Sequence, residues 1–139
     1  MRRISLFGLC LLAALALACT ARANVSSKLY DLSFSAPKKV ARGGHGRLSV
    51  KITPKNGGEI HGGAPAKLKL SSTTQLKLAK ETLGNADMKL QGGNASFEVP
   101  FTAVSRGRAK IDGDLSFFIC TAKSCARQEW KLSTPVRVR

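Results

Sequence analysis

Acidic side chains are what this sequence has least of. Its 139 residues hold 8 Asp and Glu against 23 Lys and Arg, a formal charge of +15. A charge that high keeps a chain soluble and draws it toward polyanions. Histidine is scarcer still, with His45 and His61 both in glycine-rich stretches. Together with Cys120, Cys125 and Met88 they are the soft ligands on offer for copper or zinc, but their spacing follows no metal motif. No metal or other cofactor is therefore called for. Ser, His and Asp occur without a nucleophile-elbow pattern, which argues against hydrolase chemistry. The glycine-rich loops open no helix, so a phosphate cradle is not supported. Heptads, internal repeats and any helical period beyond about one turn are also missing.

Long apolar runs are confined to the first residues. Arg2 and Arg3 precede the run Ile4 to Ala18, and Ala21-Arg22-Ala23 offers a cleavage site before Asn24. This is the pattern of a secretion signal over residues 1–23, and the run is short for a membrane span. A competing reading takes Leu17-Ala18-Cys19 as a lipoprotein processing site, with Cys19 as the lipidated terminus. Residues 24–139 suffice for one domain with a modest core. Arg2, Arg3 and Arg22 leave with the leader and none of the 8 acidic residues does, so the charge falls from +15 to +12. The expected location is the periplasm or the extracellular space. There nucleic acid is a poor partner, and an anionic surface of lipid headgroups or polysaccharide is a better one. The alternative is that the cations, spread along the chain, only populate outward strand faces and discourage edge pairing.

What is present is a period of two. Tyr30, Leu32 and Phe34 alternate with polar residues, as do Leu48, Val50 and Ile52, then Leu68 and Leu70, and Leu76 and Leu78. Each reads as a half-buried strand. The breaks at 42–46, at Pro54-Lys55-Asn56-Gly57-Gly58 and at Gln91-Gly92-Gly93-Asn94 are turn chemistry. Residues 81–94 sustain no period. Phe97, Val99, Phe101 and Ala103 form a further strand, in which Pro100 suggests an edge position or a bulge. Ile111, Gly113, Leu115, Phe117 and Ile119 share one face of the penultimate strand. Trp130, Leu132, Thr134, Val136 and Val138 are the inward set of the last. Seven or eight short strands parted by Gly, Asn and Pro predict an all-β antiparallel sandwich.

Outside the leader two cysteines remain, Cys120 and Cys125, in a compartment that allows disulfides. Parity places both on the outer face of the last two strands, facing each other across the neck of a four-residue turn, where the Cβ separation suits a disulfide. Lys123 lies in the turn, Arg127 lies two residues past Cys125, and no acidic residue occurs from Leu115 to Gln128. Nearby cations favour the thiolate that exchange chemistry uses. From the residues alone the pair reads first as a structural staple, with a redox pair as the close alternative.

Several segments together carry a resemblance. Gly58-Glu59-Ile60-His61 leads to a proline and the Leu-rich stretch Ala64 to Leu70. Phe97-Glu98-Val99-Pro100 follows, then an apolar strand ending in Cys120 with Cys125 just beyond. Residues 40–138 resemble the amino-terminal domain of the thiol:disulfide interchange protein DsbD and its stand-alone relatives. The resemblance implies an immunoglobulin-like sandwich whose C-terminal hairpin carries the cysteines. It also implies that Cys120 and Cys125 are the catalytic, exchanging pair, relaying electrons between a membrane electron donor and thiol-disulfide redox proteins. In that family the turn is longer and an acidic and aromatic cap loop shields the disulfide. Residues 83–88 match the cap, with Asp87 and Met88 as its nearest equivalents and no aromatic residue. Two functions stay open: a thiol-disulfide oxidoreductase, or a non-enzymatic basic binding module whose disulfide is a staple.

Overall fold

The computed structural model describes residues 20–139, with side chains from Ala23 onward. The apolar run, Cys10 and Cys19 lie outside the described residues. The first strand, β1 (Thr20–Ser26), pairs with β2 (Tyr30–Pro37), so its first four residues overlap the expected leader. The chain continues through β3 (Lys39–Val40), β4 (His45–Pro54), β5 (Lys67–Ser72), β6 (Leu76–Leu78) and β7 (Thr82–Leu83). A single 3₁₀ turn (Asn85–Asp87) precedes β8 (Lys89–Gln91), and β9 (Asn94–Ala103), β10 (Gly107–Cys120) and β11 (Cys125–Val138) complete it.

These strands form two sheets packed face to face. One runs β1-β2-β4-β9-β6 with β8 also on β9, and the other runs β3-β11-β10-β5-β7. Every pairing is antiparallel except the short parallel contact of β3 with β11. The order β2-β4-β9-β6 is the A-B-E-D sheet of an immunoglobulin domain, and β11-β10-β5 is its G-F-C sheet. The chain crosses from the first sheet to the second at Lys38, whose carbonyl accepts from Arg137 N at 2.8 Å. The protein is an all-β, antiparallel, immunoglobulin-like sandwich with a C-terminal hairpin carrying the cysteine pair.

The period-two residues meet between the sheets. Phe34, Leu48, Val50, Ile52, Leu68, Phe97, Ile111 and Phe117 are wholly buried. Burial of such side chains stabilises by about 1.5–3 kcal/mol each. Tyr30 lies edge-on to Phe117 with ring centroids 5.1 Å apart. Its hydroxyl accepts from Trp130 Nε1 at 2.7 Å and donates to Gln128 at 2.8 Å. Trp130 is thus only half-buried, its ring against the core and its N–H on the tyrosine. The undecided stretch 81–94 resolves into β7, the 3₁₀ turn and β8, each too short to display a period.

Pro100 departs from expectation. It sits in β9 between β4 and the two short strands β6 and β8, not on a sheet edge. On that second side β6 pairs residues 101–103 and β8 pairs residues 94–96, leaving Pro100 in the gap. Its carbonyl points into the gap, accepting from Ala79 N at 2.9 Å. An N–H at this position would point the same way, so no ladder bond is lost.

Candidate functional site

The site grows from the longest antiparallel pairing in the molecule. Strands β10 and β11 stay in register from Gly107↔Val138 to Cys120↔Cys125. Four residues, Thr121 to Ser124, close the hairpin. Thr121 organises the turn: its N–H donates to the Ser124 carbonyl at 2.8 Å, and its Oγ1 accepts from Lys123 N and Ser124 N at 3.3 and 3.4 Å. That geometry sets the two cysteines directly opposite each other. They are joined in a disulfide with Cα atoms 4.0 Å apart.

The close approach has a backbone cause. Cys120 N donates to Glu59 O at 2.9 Å, and Cys120 O accepts from Glu59 N at 2.8 Å. Both polar backbone groups of Cys120 therefore point away from β11. The Cys120↔Cys125 rung is of the non-hydrogen-bonded kind, in which opposite side chains come nearest. Glu59 takes up the side of β10 that β5 leaves free beyond its pairing with Ser116. Gly58, just before it, packs so tightly that a Cβ there would lie 2.5 Å from the Leu29 carbonyl oxygen.

The pairing of the cysteines on one face agrees with their parity, but their exposure differs. Cys120 is 1% exposed, covered by the Glu59 segment, whereas Cys125 lies open to solvent. An outer-face position on a strand implied exposure for both, and parity carries no information about a loop that folds over one of them.

On the same face, two residues along from the disulfide, lie Phe118 and Arg127, and beyond them Ser116 between Lys67 and Glu129. Phe118 is half-buried on the outer side of the sheet. With Pro65, Ala66, Leu83, Gly84 and Arg127 it lines an open depression of about 450 Å³ next to the bond. Arg127 pairs with Glu129 at 2.9 Å, so part of its charge is already answered. Lys123 is exposed in the turn.

Of the stretch matched to a cap, Leu83 and Gly84 line this depression, while Asp87 and Met88 have partners of their own. Asp87 accepts from Lys80 Nζ at 2.6 Å and from Gly84 N at 3.0 Å. The Lys80 ammonium first, and the Gly84 amide second, hold its carboxyl below the usual range. Met88 packs against the core. Asn85 ties this segment to the loop before β5, donating to Ala64 O at 2.7 Å and accepting from Ala66 N at 2.9 Å. The segment that reaches Cys120 is instead Gly58-Glu59-Ile60-His61. His61 Nε2 lies 3.8 Å from a Glu59 carboxylate oxygen, while His45, 3.1 Å from the Thr102 hydroxyl, sits on the β4–β9 sheet. No group of three or more His, Cys, Asp or Glu among the described residues converges as a metal site.

No family model matches the chain, and no curated protein matches it. Among solved structures it is similar to the GAE domain of GGA2p from Saccharomyces cerevisiae, at 12% identity over 81% of this chain and 96% of that one, with a TM-score of 0.44. It is similar to E. coli alpha-2-macroglobulin at 16% identity over 79% of this chain and 8% of that one, with a TM-score of 0.44. A third is murine CRIg, at 11% identity over 78% of this chain and 98% of that one, with a TM-score of 0.34.

Proposed function

We propose that the protein is an exported thiol-disulfide oxidoreductase domain working through Cys120 and Cys125. One observation carries the reading: a disulfide at a hairpin neck with one partner open to solvent and the other covered. Exchange requires access to one sulfur and a leaving group held in place for the return step. The resemblance of residues 40–138 to the DsbD amino-terminal domain supports the same chemistry, and the exposed Phe118 depression provides room for a partner beside the bond.

In this mechanism a thiolate of a reduced partner attacks Cys125 Sγ. The Cys120–Cys125 bond breaks, Cys120 leaves as a thiolate, and Cys125 is held to the partner in a mixed disulfide. The partner's second thiolate then attacks its own sulfur of that bond and releases Cys125. Two electrons have moved: the partner's dithiol is oxidised to a disulfide and the Cys120–Cys125 disulfide is reduced to two thiols. The reverse sequence passes the pair to an oxidised redox protein, with Cys125 attacking and Cys120 resolving. A membrane electron donor and a soluble thiol-disulfide protein are the partners this requires, and the periplasm or extracellular space is where the bond would persist.

Cys120→Ser leaves the exposed thiol and is expected to accumulate a mixed disulfide with a reactive model disulfide. Cys125→Ser leaves the covered thiol and is expected to form far less. Equal trapping by both variants would refute the assigned order of attack. A reduction potential well below about −300 mV, with neither variant trapping, would refute exchange altogether. That result would leave the second reading, a basic binding module with a structural staple, which the cation-rich surface favours.

A further inference from the structure

Strand pairing collects cations that are scattered in sequence. Lys39 on β3 is the ladder partner of Arg137 on β11, and Arg137 is the partner of Arg108 on β10. Three cations therefore stand in one row across three adjacent strands, all exposed. Like charges directly opposite each other are destabilising in a sheet. Elsewhere on this face the cations have acidic neighbours. Lys110 lies 3.6 Å from Asp112 and Arg127 pairs with Glu129, while Asp114 stands between Lys69 and Lys131. The last row has none, and its three side chains make no ion pair or hydrogen bond with a described residue.

The surroundings extend the row. Arg42 donates its backbone N–H to Arg139 O at 3.0 Å, Lys38 adjoins Arg137, and Arg106 occupies the turn into β10. Segments 36–47, 99–111 and 130–139 converge here without one Asp or Glu. In the same turn as Arg106, Val104 is 45% exposed, one of the two large apolar side chains so exposed among the described residues. Cations around an exposed apolar side chain suit a plane of phosphate headgroups with an acyl layer beneath.

We infer that this end of the sandwich docks on an anionic phospholipid surface through the Lys39–Arg137–Arg108 row. It lies twelve residues along β10 from Cys120, roughly 40 Å at the rise of an antiparallel strand. A protein held by this end carries its disulfide hairpin away from the bilayer. The docking is independent of the disulfide and its chemistry.

The test uses sedimentation with vesicles of equal parts phosphatidylglycerol and phosphatidylcholine, and with phosphatidylcholine alone. The expected result is salt-sensitive binding to the anionic vesicles only. The triple variant K39Q/R108Q/R137Q should partition about 100-fold more weakly, whereas K67Q/K69Q/K131Q, with the same charge removed from the same sheet, should lose much less. Removing mutually repelling exposed cations leaves folding intact, which thermal unfolding would check. Equal losses in both triples would overturn the inference by showing that net charge alone acts. Binding to soluble polyphosphate without binding to vesicles would also overturn it. The variant C120S/C125S should bind as the parent does, so a failed exchange assay and a failed docking assay are separate results.

Discussion

At the scale of single residues, close approaches decide which side chains the fold tolerates. Gly46 in β4 is the partner of Phe101 in β9, and a Cβ on Gly46 would land on the Phe101 ring. Phe101 is itself buried and cannot swing into water. Gly46→Ala should therefore overpack the core and cost about 1–3 kcal/mol, read as a lowered urea midpoint at unchanged slope. Two aspartates, Asp31 exposed and Asp87 half-buried, add a pH response. The Lys55 hydrogen bond to Asp31 and the Lys80 hydrogen bond to Asp87 hold both carboxyls below their ordinary value of 3.8. The unfolded chain then binds more protons at low pH than the folded one. Their contribution is complete above the unfolded value and is lost as pH falls from about 3.8 through the lower folded values. Acid titration of the urea midpoint should show that decline, and Asp87→Asn should make it shallower. Neither partner lysine could be named from the sequence, because each lies in a different segment from its aspartate.

At the scale of elements, the hairpin and the segment folded over it form one unit. The alternation of β10 from Ile111 to Ile119 and of β11 from Trp130 to Val138 was legible, since a strand with one buried face repeats every two residues, whereas Gly107 and Arg108 read as part of a turn and belong to β10. The cysteine rung followed from the same parity. The role of Gly58-Glu59-Ile60-His61 did not, because backbone bonds between Glu59 and Cys120 leave no trace in side-chain pattern. Gly58→Ala should displace this segment from the Leu29 carbonyl and loosen its hold on Cys120. In a Cys125→Ser background, the remaining Cys120 thiol should then alkylate faster than it does with Gly58 intact. An unchanged rate would mean that Glu59 does not govern access to Cys120. Pro100 teaches the same lesson in reverse: the proline marked a missing ladder donor, but the vacancy is a gap between two short strands and not the edge of the sheet.

At the scale of the whole molecule, the core and the disulfide are nearly independent. The bond closes a short loop and restrains the unfolded chain by about 2 kcal/mol, while the buried aromatic and aliphatic residues of two sheets hold the sandwich. Reduction should lower stability by about that amount and leave a single cooperative unfolding transition, measurable by circular dichroism in denaturant with and without reductant. A domain that can open its disulfide without unfolding suits the exchange chemistry proposed for it.

By itself the sequence determined the strands with a sustained alternation (β2, β4, β5, β6, β9, β10 and β11), their inward faces, the sandwich class and the facing of Cys120 and Cys125, but not the short strands β3, β7 and β8 or the pairing of β1. All of these are written in local alternation or in a turn of four residues. Tertiary structure alone decided that Cys120 is covered while Cys125 is open, that Asp87 is held by Lys80 and Gly84 and Met88 by the core, and that Lys39, Arg108 and Arg137 share one row. Each depends on which segments become neighbours when strands pair. Spacing along the chain does not encode that, and a charge that looks evenly spread in sequence becomes concentrated only after folding.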